Sequence, residues 1–128
     1  DADEVLPTLA KSQLFVAHRT IGPFLEAYGV AADRLALRDP SEQIDREEFI
    51  LECIGAAQQR WYQKDLYSAE SISRDLFSGA WQLASNRGLV EPGDSELAQR
   101  RTDFAEEFHA AIHRINVIRE LARKKEEV

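Results

Sequence analysis

Chemistry in a small chain needs side chains that converge, and the first pair to test is His109 with His113. A spacing of four puts both imidazoles on one face of a helix, as a metal site would require. A zincin motif needs more: glutamate directly after the first histidine as general base, where this chain has Ala110, and a third ligand, for which no residue is marked. The pair therefore reads as half-buried histidines flanking a packed seam near Glu106. His18 lies beside an apolar helix face, where a bond to a backbone carbonyl is the common outcome, and no serine, cysteine or carboxylate is spaced to work with it. Cys53 is the single cysteine, which excludes an internal disulfide and a cysteine-based zinc site, and on an apolar face it reads as a small hydrophobe. Ser68, Ser71 and Ser73 fall where helix caps belong, with no Gly-x-Ser-x-Gly elbow and no glycine-rich phosphate loop in the chain.

Two further clusters could touch a ligand. Trp61, Tyr62 and Tyr67 gather near a helix end and could form an aromatic platform for lipid or a partner, but core and rim packing is the simpler reading. Arg114, Arg119, Arg123, Lys124 and Lys125 crowd the end of the last helix, where positive charge complements the helix dipole and could meet a phospholipid headgroup. Glu120, Glu126 and Glu127 are interleaved with them, so a solvated helix end is expected. The residues by themselves assign no catalytic, cofactor-binding or metal site.

The elements that position these residues are helical. Apolar residues at steps of three and four (Leu14, Ala17, Ile21, Phe24, Leu25, Tyr28, Ala31, Leu35) predict a first helical stretch from about Glu4 to Leu35, with a kink or short break at Gly22-Pro23. Pro7 marks a first-turn proline or a second break. Arg38 to Gln43 reads as a loop, and Asp45-Arg46-Glu47-Glu48 has the form of a capping box opening a second helix that runs to about Lys64. Its face is Phe49, Cys53, Ala56, Ala57 and Trp61, widened by Ile50 and Ile54. Ser68 is expected to cap a third helix whose face is Ile72, Leu76, Phe77, Ala80, Leu83 and Ala84, ended by Asn86-Arg87-Gly88 with Gly88 left-handed. A turn at Glu91 to Asp94 leads into one long helix, Ser95 to Lys125. There Leu97, Phe104, Ala111 and Ile118 repeat every seven residues, as do Phe108, Ile115 and Ala122 in a series begun by the polar Arg101. No stretch alternates as a strand would, so the fold class is all-α: an antiparallel bundle of four to five helices in one domain over residues 1–128.

Composition narrows the function classes. The 128 residues are 44% hydrophobic, and 16 Lys plus Arg against 23 Asp plus Glu give a net charge of −7, spread over both halves. Nucleic-acid binding is disfavoured by that field. The longest apolar run is the four residues Leu14 to Ala17, where a membrane span needs roughly 20. The acidic start, Asp1 to Glu4, is unlike an export signal, so a cytoplasmic setting is expected. The chain contains no methionine, so a start residue is expected to have been removed, either by trimming of a tag or end or because this is a piece of a longer polypeptide.

Residues 14 to about 119 carry a series of blocks in a particular order. They are Pro23-Phe24-Leu25-Glu26-Ala27-Tyr28 followed by Val30-Ala31-Ala32-Asp33; Cys53-Ile54-Gly55 with Gln59; Leu66-Tyr67-Ser68-Ala69-Glu70-Ser71-Ile72-Ser73; and Leu76-Phe77 through Leu83-Ala84 to Leu89. This pattern resembles the extreme C-terminal region of bacterial, especially actinobacterial, membrane-associated glycerol-3-phosphate acyltransferases. The resemblance implies a parent enzyme that transfers a fatty acyl group from acyl-CoA or acyl carrier protein to the first hydroxyl of glycerol 3-phosphate, giving lysophosphatidate for phospholipid synthesis. In that family a His-x4-Asp block in an upstream α/β domain carries the reaction. Here the fifth residue after His18 is Pro23, after His109 it is Arg114 and after His113 it is Ile118, so no catalytic residue carries over.

The expected role is a helical scaffold that buttresses the upstream catalytic domain of the same chain or self-associates, with no cofactor of its own. It would reach the cytoplasmic side of the membrane only peripherally, through the parent. The alternative is a free-standing cytoplasmic bundle that binds a protein partner or apolar ligand; a repressor-type regulator would need a basic helix-turn-helix, which Asp1 to Glu4 does not begin. A stand-alone enzyme ranks third, for want of a convergent constellation.

Overall fold

The computed structural model describes residues 22–66 and 69–127, and among these every regular element is helical. The first helix, α1, covers 22–37 within that range. It is followed by α2 (Arg46–Tyr62), a single 3₁₀ turn (Ala69–Ser71), α3 (Arg74–Asn86) and α4 (Ser95–Glu127). The expected kink at Gly22-Pro23 depends on the residues before Gly22, and these, with Leu14, Ala17, His18 and Ile21, lie outside the described residues.

The architecture is organised around α1. Residues 26–32 are buried without interruption, so this helix is covered on all sides and not along one stripe. Small side chains make that possible. Ala27, Gly29, Ala31 and Ala32 let neighbouring helices approach closely: a Cβ on Gly29 would come within 2.9 Å of Ile112 Cδ1 on α4, and Gly79 on α3 lies against the Tyr28 ring. Partners of α1 run in reverse order along α2 and α4, because Asp33 pairs with Arg60 and Arg38 with Glu52, while Glu26 faces Arg119 and Asp33 faces His109. Both helices are thus antiparallel to α1. Phe49 of α2 packs on Trp81 of α3 with ring centres 5.4 Å apart, and Phe104 meets Phe108 edge-on along α4.

Helix ends follow local chemistry. Asp45 caps α2, its carboxylate accepting from the Glu48 amide at 3.0 Å. The cap of α3 is Ser73, whose hydroxyl accepts from Leu76 N. The expectation that a helix starts from Ser68 is therefore corrected: Ala69–Ser71 closes only a 3₁₀ turn, and Ser68 itself lies outside the described residues. Ser71 is buried and its hydroxyl donates to Glu26 Oε1, a role in packing and not in capping. At the end of α3, Gly88 is left-handed (φ 71°), with Gly88 N donating to Ser85 O and Leu89 N to Ala84 O. These are the two bonds of a Schellman motif. The same pair of bonds ends α2, from Lys64 N to Trp61 O and Asp65 N to Arg60 O, although its left-handed residue is Lys64 (φ 63°). Asp94 accepts from Glu96 N at the start of α4, and the seven-residue repeat is buried at Leu97, Arg101, Phe104, Phe108 and Ile115. No helix among the described residues is long and apolar enough to cross a membrane.

Candidate functional site

Charged side chains gather where α1 meets α2 and α4. Asp33 uses both oxygens: Oδ2 accepts from Arg60 NH2 at 2.8 Å and Oδ1 lies 2.6 Å from His109 Nε2. Beside Asp33, Arg34 Nε and NH2 both donate to Glu52 Oε1, and from about a turn further Arg38 NH2 donates to Glu52 Oε2. Burial works against the Glu52 charge, but the bonds from the two arginines outweigh it and hold the carboxyl below its usual range. At the far end of α1, Glu26 takes the Ser71 hydroxyl and lies 3.9 Å from Arg119 NH2.

An imidazole held by a carboxylate is half of a general-base pair. Here Arg60 shares the carboxylate, and no serine, threonine or cysteine hydrogen-bonds to His109 among the described residues. Cys53 is no nucleophile: burial foremost, and then the Glu52 charge, push its thiol up to about 12. It is fully buried against the core, as expected of a small hydrophobe. What the arrangement does well is fix register. Each pair contributes little alone, ~0–1 kcal/mol at partly exposed positions. Together they tie three helices at chosen heights.

Several sequence expectations change. His109 and His113 are both exposed, not half-buried, because they lie off the seam and His109 reaches across to Asp33. Among the described residues no three His, Cys, Asp or Glu side chains are grouped to hold a metal ion. Trp61 and Tyr62 are 41% and 83% exposed, so packing does not account for them. Ala57 is the last buried residue of α2, and the final turn extends past the core. Tyr67 lies outside the described residues. Arg119 is not part of a solvated helix end; it is buried, bonded to Asn116 Oδ1 at 2.9 Å, and its guanidinium passes over Gly22, where a Cβ would block it. Arg114, Arg123, Lys124 and Lys125 are exposed as expected, with Arg123 paired to Glu120.

Sequence reasoning passed over Asp33, Glu52, Arg60 and the Arg34–Arg38 pair. The signal available for the last was its spacing of four, which puts two guanidinium groups on one side of the chain. Arg101 was visible as a charge in the first position of an apolar repeat, and it is fully buried.

The comparisons with known proteins agree with this fold's sequence blocks. A family model described as the glycerol-3-phosphate acyltransferase C-terminal region matches residues 1–93. Proteins named "Putative acyltransferase plsB1" from Mycobacterium bovis and Mycobacterium tuberculosis are 40% identical to this chain over 125 residues, 97% of its length and 20% of theirs. The chain thus spans about a fifth of the length of these curated relatives. No solved structure matches.

Proposed function

The chain belongs to the family of glycerol-3-phosphate acyltransferase C-terminal regions, and we propose that it serves such an enzyme as a non-catalytic helical scaffold. The parent would move an acyl group from acyl-CoA or acyl carrier protein to glycerol 3-phosphate, with its chemistry upstream of this region and its membrane contact peripheral, on the cytoplasmic side. One observation carries the reading: charged residues along α1 and just after it are engaged in ion pairs with neighbouring helices. Asp33, Arg34 and Arg38 are held by Arg60, His109 and Glu52. A helix built this way transmits rigidity to whatever packs on the bundle.

The surface available for such packing is on α4, where Val117 and Leu121, 47% and 54% exposed, lie on the side of the helix away from buried Ile115 and Arg119. They are spaced by four and could meet the catalytic domain or a second copy of the chain. The experiment is a truncation of the full-length enzyme that ends it before Leu14. A scaffold predicts loss of activity together with altered assembly or membrane association. Full activity, normal size on gel filtration and normal membrane association after truncation would overturn the proposal.

A further inference from the structure

Arg101 is the largest fully buried side chain among the described residues, at 0% exposure. Its Nε donates to Leu89 O at 2.8 Å, while NH1 and NH2 are sealed from solvent with no hydrogen-bond partner. Arg38 adds a third such donor. Its NH2 is taken by Glu52 and its guanidinium lies 5.7 Å from the Phe49 ring centre, but its Nε is buried and unpartnered. Burial first, and then the charge of Arg38, lower the Arg101 pKa, so the two cations feel each other. Arginine nevertheless stays protonated in proteins.

The local charge does not balance. Glu52 is taken by Arg34 and Arg38, and no carboxylate pairs with Arg101 among the described residues. Leaving a buried charge uncompensated costs several kcal/mol, and a core position in an apolar repeat would more cheaply hold leucine. An arginine there costs stability, and it leaves unpartnered the donors that a forked anion takes: the two terminal nitrogens of Arg101 and the Nε of Arg38, whose charge acts on Arg101. We propose that Arg38 and Arg101 form a binding site for a single oxyanion group, a phosphate or a carboxylate. The site lies under the loops that follow α1 and α3, which are tied by Gly93 N donating to Pro40 O at 2.7 Å. An anion reaches the sealed nitrogens when that tie opens. The inference does not depend on the scaffold role.

The test is thermal unfolding of the chain in sodium phosphate, sodium acetate and sodium chloride at matched ionic strength. The expected result is a saturable rise in Tm in phosphate or acetate over chloride that is absent from Arg101→Met. A response to phosphate alone assigns a phosphate-bearing ligand; an equal or larger response to acetate assigns a carboxylate. No rise over chloride, or the same rise in Arg101→Met, overturns the site. Should Arg101→Met fail to fold, calorimetric titration of Arg38→Gln with the responding anion decides: at least tenfold weaker binding supports the site, and wild-type affinity overturns it.

Discussion

Replacing Gly79 with alanine should destabilise the bundle, while the same replacement at Gly55 should stabilise it. Both glycines are inside helices, so alanine gains up to ~1 kcal/mol of helix propensity at either position. The surroundings then decide. A Cβ at Gly55 meets nothing within 4 Å, leaving the full gain of about 0.5–1 kcal/mol. A Cβ at Gly79 would overlap the Tyr28 hydroxyl and come 3.4 Å from its Cζ. That ring has nowhere to go: it stacks on Phe24 with centres 4.0 Å apart and meets Phe108 at 5.8 Å. Overpacking of this kind costs about 1–3 kcal/mol, so Gly79→Ala should lie about 1–3 kcal/mol below Gly55→Ala. Urea titration at constant m would read the difference as a shift in midpoint, and a thermal scan as roughly 3–6 °C per kcal/mol for a chain of this size. Equal stability of the two variants would refute the close crossing of α1 and α3.

Lys64 occupies a left-handed position at the end of α2 that costs a side-chain-bearing residue about 1 kcal/mol or more. Lys64→Gly should therefore raise stability by somewhat under ~1 kcal/mol once glycine's greater unfolded-state entropy is set against it; a lowered Tm would count against that end geometry. Glu52 has a folded pKa below its unfolded one, so its contribution to stability is present above the unfolded value and disappears as pH falls through the folded value. Acid titrations followed by circular dichroism should show Glu52→Gln losing less stability than wild type on passing below about pH 4.3; parallel curves would remove Glu52 from the α1–α2 tie. Cys53, buried with its thiol pushed up to about 12, should react with a thiol reagent at pH 8 only as fast as the chain opens. Reaction in native buffer at the rate of the unfolded chain would place it outside the core.

How much of this was legible in the sequence follows from which interactions are local. The Asp45 cap, the left-handed Gly88, the loop after Arg38 and the long seam from Leu97 depend on residues within one turn or one repeat, and each is where the sequence places it. The centrality of α1 was hidden because alanine and glycine give no strong apolar period, and Ala27, Gly29, Ala31 and Ala32 matter for letting neighbours close in. Ser68 and Ser73 are equally good caps locally; the buried bond from Ser71 to Glu26, 45 residues away, favours the later start. Charges misled for the same reason. Arg119 looks like its neighbours Arg123 and Lys124 until Gly22 and Glu26 are placed beside it, and the tie from Asp33 to His109 spans 76 residues.

A region that supports an acyltransferase without taking part in its chemistry should tolerate the loss of both its described imidazoles. The most direct test is the acyl-transfer rate of the full-length enzyme carrying His109→Gln and His113→Gln, with glycerol 3-phosphate as acceptor. The amide introduced by His109→Gln would still donate to Asp33, preserving the tie to α1. A scaffold role predicts kcat within a few-fold of wild type. A hundredfold or greater loss in an enzyme whose circular dichroism and gel-filtration size are unchanged would show a histidine of this region at work in catalysis and contradict it.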